Sequence, residues 1–101
     1  MKLLIITAVA QFQHEVSRLL KEAKIDSFSS SGIDGYKEST LQLINSGWFV
    51  GERGGVRSHL FFSFTEEEKV EKLMQLIKAF NEKLETDNPV KMVVVPIEKY
   101  I

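Results

Sequence analysis

Hydrophobic spacing changes character several times along the chain. Leu3, Leu4, Ile5 and Ile6 run together between Lys2 and Thr7, a continuous apolar block of strand length. From Gln11 to Lys24 the period lengthens: Phe12, Val16, Leu19, Leu20 and Ala23 fall at i, i+4, i+7, i+8 and i+11, which is one face of a helix. Glu15, Arg18, Lys21 and Glu22 take the wet side. Ile25 to Ile33 reads as a weaker strand whose serines suit an exposed or edge position. Arg57 to Phe64 is a clear strand, with Leu60, Phe62 and Phe64 pointing one way and His59, Phe61 and Ser63 the other. Thr65 with Glu68 three residues on predicts a capping box that starts a second helix. Val70, Leu73, Met74, Ile77, Phe80 and Leu84 form its apolar stripe. Glu85 to Pro89 is turn chemistry, Val90 to Val95 a last strand, and Pro96 ends it.

The order β-α-β-β-α-β predicts an α+β, ferredoxin-like sandwich: a four-stranded antiparallel sheet with two helices on one face. The two halves form a weak internal repeat, and residues 1–101 read as a single domain. Two helices cover one face of such a sheet, so in a monomer the other face is expected to be polar. Here Leu3 to Ile6, Leu60 to Phe62 and Met92 to Val95 are apolar on consecutive positions. Both pleat faces are therefore apolar, which predicts a homo-oligomer that buries the second one. The alternative is that the long connection before Arg57 folds back, with Trp48, Phe49 and Val50 as a lid.

Composition narrows the function classes. Thirteen basic against fourteen acidic residues leave no global field that recruits nucleic acid or an anionic membrane. The chain has no cysteine, which excludes disulfide and thiolate chemistry and fits a reducing, cytoplasmic setting. MKLLIITAVA faintly echoes a secretion signal, but it reads better as a strand the fold needs. No apolar run approaches the roughly 20 residues of a membrane span, so no direct membrane insertion is expected.

The stretch from Ser31 to Gly55, SGIDGYKESTLQLINSGWFVGERGG, is glycine-bearing, too long for a tight hairpin, and holds Tyr36, Trp48 and Phe49. Segments like this inside a compact chain are functional loops or disordered ones. MKLLIITAVAQFQHEVSRLLKEAKI, then GIDGYK, a long loop, a strand and helix, and finally VVVPIEKYI, together resemble the PII-like signalling proteins. The resemblance covers nearly the whole chain in element order, on short motifs, including the Pro96-Ile97-Glu98 step that closes the last strand. It implies a homotrimer with inward-facing sheets and a ligand held in clefts between subunits. It also implies a long T-loop, here about residues 35–56, that regulates a target protein such as a membrane transporter. Gly35, Tyr36 and Lys37 would then stand where the loop begins, and Arg53 to Arg57 where it ends. Nucleotide-binding members carry a glycine-rich loop after the second helix. This chain has LETDNPVKM there, with Glu85 and Asp87 and no glycine, which argues against ATP or ADP held in the usual way and leaves any cofactor unidentified. The loop sequence also departs from the family's, and no modification site carries over.

Taken singly, the candidates have bland readings as well. Gly35, Gly54 and Gly55 permit tight turns or a ligand's approach. Arg53 and Arg57 suit an anionic ligand or a partner carboxylate, or act as solvated charges near Glu52. Trp48 and Phe49 are candidate partner contacts or packing against another subunit. His14 and His59 lie on separate elements without metal-ligand spacing, and no metal is assigned to them. No nucleophile triad, phosphate loop or carboxylate pair emerges, so no enzyme is expected. Two further readings stay open: a metal-homeostasis protein of the CutA or efflux-associated PII-like kind, and a small dimeric α+β barrel enzyme.

Overall fold

The structure is a computed structural model, and it describes residues 1–36, 56–84 and 88–101. Strand β1 runs Lys2–Val9 and leads through a 3-10 turn, Ala10–Phe12, into helix α1, Gln13–Glu22. Strand β2 is Ser29–Gly35 and strand β3 is Val56–Thr65. Helix α2, Glu67–Glu82, precedes strand β4, Lys91–Pro96. The described residues form a four-stranded antiparallel sheet in the order β2-β3-β1-β4, and the α+β, ferredoxin-like expectation holds. Among them, no helix is long and apolar enough to cross a membrane.

The pleat sorts side chains cleanly between two faces. Leu4, Ile6 and Ala8 of β1 are buried under the helices, as is Phe61 of β3. Val16, Leu19 and Leu20 of α1 and Val70, Leu73 and Ile77 of α2 press onto them, with Phe12 and Phe80 meeting edge to face at 5.7 Å. The stripes read from the sequence are thus the buried stripes, with Met74 half-buried. On the other face the register sets Leu3 against Phe64 and Val95, and Ile5 against Phe62 and Val93. No helix among the described residues covers this side: Phe62 is 40% exposed, Phe64 59%, Val93 53% and Val95 36%.

Several boundaries differ from the sequence reading, two of them for a clear physical reason. The weak strand begins at Ser29 because Ile25 serves the end of α1. Lys24 N–H donates to Lys21 O and Ile25 N–H to Leu20 O, the paired bonds of a Schellman turn. Ile25 becomes the buried hydrophobic residue that closes it. The expected capping box is absent: Glu66 is the N-cap of α2 and makes no side-chain cap bond. Thr65 ends β3 instead, and its buried hydroxyl pairs with that of Ser63 at 2.8 Å. Elsewhere Asn81 clasps the approach to β4, its Nδ2 donating to Val90 O and its Oδ1 accepting from Val90 N–H, at 2.8 and 2.9 Å.

Lys24 holds φ at 65°, a left-handed conformation that suits glycine better than a residue with a Cβ. Lys24→Gly is therefore expected to raise unfolding free energy by about 0.5–1 kcal/mol, measured by urea denaturation. Asn81→Leu removes both bonds to Val90 and leaves a part-buried N–H and C=O unmatched, an expected loss of about 1–3 kcal/mol in the same assay.

Candidate functional site

The chain leaves the sheet after Gly35 and re-enters it at Val56, at one point of its edge. Gly35 pairs with Val56, Asp34 with Arg57, Ile33 with Ser58 and Gly32 with His59. Since side chains alternate across a strand, Gly32, Asp34, Arg57 and His59 share the helix side. The helices do not extend over β2, where Ser30, Gly32 and Asp34 are exposed. A cleft of about 390 Å³ remains, bounded by Ala10 and Gln13 where β1 turns into α1, by Gly32 and Asp34, and by Arg57 and His59. Clefts of about 300–1,000 Å³ take small molecules.

The groups around the cleft differ in how they are held. His59 is half-buried and packs on Phe61, ring centroids 5.4 Å apart. Arg57 is exposed and forms no ion pair among the described residues, whereas Arg18 and Glu22 on α1 do, at 2.8 Å. Asp34 is already engaged in an interaction. At Gly32 a side chain would project into open space, with no heavy atom within 4 Å of a Cβ. Gly35 is the opposite case. A Cβ there would sit 3.1 Å from Ser58 Oγ, and that hydroxyl donates to Val56 O at 3.2 Å. The absence of a side chain at residue 35 lets β2 and β3 approach closely where they pair at Gly35 and Val56.

Of the residues predicted from sequence, the structure brings Gly35 and Arg57 to the loop base, with exposed Tyr36 directly after β2. Lys37, Trp48, Phe49, Arg53, Gly54, Gly55 and residues 85–87 lie outside the described residues. His14 is exposed on α1 and does not line the cleft, where His59 stands. Among the described residues no group of three or more His, Asp and Glu side chains is arranged to hold a metal. Gln13, Gly32, Asp34 and the placement of His59 were not foreseen as parts of one site. The signal available was register: counting outward from a Gly35–Val56 closure puts Asp34 opposite Arg57 and Gly32 opposite His59. No protein-family model matches the chain, and no curated protein matches it.

The close approach at residue 35 is directly testable. Gly35→Ala is expected to lower the melting temperature in the wild-type background and to do so less, or not at all, in Ser58→Ala, where the obstructing hydroxyl is gone. A double-mutant cycle read by thermal denaturation reports the coupling.

Proposed function

We propose that this chain is a non-enzymatic regulatory protein of PII-like type. Three copies pack their uncovered sheet faces together, and each binds a small ligand at the base of the loop between Gly35 and Val56. The loop then engages a target protein such as a membrane transporter, from the cytoplasm. The observation that carries the reading is the sheet face that no described helix covers, where Leu3, Ile5, Phe62, Phe64, Val93 and Val95 form one apolar surface. Leaving apolar surface wet forfeits about 25 cal/mol per Å², and contiguous apolar patches mark interfaces. The copy number and the transporter follow the PII-like resemblance. The cleft beside Arg57 and His59 supports a ligand at the loop base. A ligand there acts on the loop by binding one of its states better than another.

Sedimentation at micromolar concentration is expected to give a trimer. Phe64→Lys combined with Val93→Lys places charge in the centre of the apposed faces and is expected to yield folded monomers, with the helical circular dichroism signal kept. A wild-type chain that sediments as a monomer removes the reading.

A further inference from the structure

We propose that the cleft at the loop base is an oxyanion site complete within one chain. Arg57 and His59 hold a single carboxylate or phosphate-type group over the bare backbone of Gly32. This deepens the ligand-binding part of the reading above and does not depend on its oligomeric part, since every residue involved comes from the same chain.

Four observations converge on this chemistry. Arg57 brings a guanidinium with no ion-pair partner among the described residues to the rim of the cleft, and its planar fork matches a carboxylate or phosphate bidentately. His59 stands two residues along the same strand, on the same face, held against Phe61, so its imidazole is placed before any ligand arrives. Gln13, at the turn into α1, also lines the cleft and carries an amide that can donate to an anion. Gly32, paired with His59, leaves the floor between these groups empty, and a glycine allows a ligand to approach the backbone closely.

Asp34 sets the selectivity. It is the acidic residue among those lining the cleft and the cross-strand partner of Arg57. A ligand with negative charge at both ends meets repulsion there, because like charges at close range cost free energy. The favoured occupant is compact, with one anionic end toward Arg57 and His59 and a neutral end toward Asp34.

The test is a titration of the isotope-labelled full-length chain with inorganic phosphate and, separately, with acetate, followed by amide chemical shifts. Saturable shifts centred on Gln13, Gly32, Arg57 and His59 are expected for at least one of the two anions. Saturation by phosphate alone identifies a phosphate-type ligand, and saturation by acetate alone a carboxylate. Arg57→Gln is expected to weaken the dissociation constant about tenfold, as the loss of one charge-assisted contact implies, and His59→Gln several-fold. Gly32→Val is the variant that separates binding from folding. Its side chain enters open space on an edge strand, so the melting temperature is expected to hold while saturable binding disappears. Non-saturating shifts with both anions, shifts centred elsewhere, or unchanged binding in Gly32→Val and Arg57→Gln would overturn the proposal. An oligomer that fails this titration loses the anion site alone; a monomer that passes it loses the oligomer alone.

Discussion

Among the described residues a sheet of four strands carries two helices, both on one face, and that limited cover governs the rest. The described helices bury Leu4, Ile6, Ala8 and Phe61, the centre of one face, with Met92 and Val94 packed beside them, and leave β2 open. Two surfaces are left over. One is the reverse of the sheet, where β1, β3 and β4 set Leu3, Ile5, Phe62, Phe64, Val93 and Val95 side by side. The other is the helix side of β2, where Gly32 and Asp34 lie open and the polar cleft forms. The first surface is apolar and broad, fit for another protein surface. The second is small, concave and charged, fit for a small polar molecule. Their chemical difference follows from sequence: on the reverse face β1, β3 and β4 present Leu3, Ile5, Phe62, Phe64, Val93 and Val95, whereas β2 reads SSSGIDG.

An edge strand without helix cover must be held by other means, and three are present. The ladder to β3 runs the length of β2, from Ser29 opposite Phe62 to Gly35 opposite Val56. Just before the strand, Ser63 Oγ donates to Ser27 O at 2.6 Å and pairs with the Thr65 hydroxyl. These buried hydroxyls satisfy each other and a backbone carbonyl, which avoids the roughly 1–3 kcal/mol cost of an unmatched buried polar group. Phe28 packs on Phe61, ring centroids 6.1 Å apart. Together they fix the start of β2 to the far end of β3, so the position of Gly32 beside His59 does not rely on packing above the cleft.

The sequence was most legible where periodicity is strong. The helix stripes through Val16, Leu19, Leu20, Val70, Leu73 and Ile77 and the alternation of Leu60, Phe61, Phe62 and Ser63 are the ones found. Boundaries were less legible because one residue can satisfy two patterns. Ile25 suits a strand by propensity, yet the turn after α1 takes it as a hydrophobic plug. Thr65 suits an N-cap, yet its hydroxyl found Ser63. The cleft was hardly legible, because Gln13, Gly32, Asp34 and His59 meet only through the register of β2 against β3 and the position of the turn after β1. Spacing along the chain carries no trace of that. Arg57 and Gly35 were foreseen only because they flank the loop.

Strand β3 joins the two surfaces. It carries Arg57 and His59 toward the cleft and Leu60, Phe62 and Phe64 toward the apolar face, on alternate residues of one backbone. It is also paired on both sides, to β1 and to β2. A strand held by two ladders has no second arrangement to move into without breaking both, and a one-residue slip would turn Phe61 out of the core. A ligand in the cleft therefore finds nothing bistable in the sheet itself. Allosteric effect requires an element with two states that the ligand binds unequally. Such an element has to lie outside this sheet. On this geometry β3 is a fixed plate between the apolar face and the cleft.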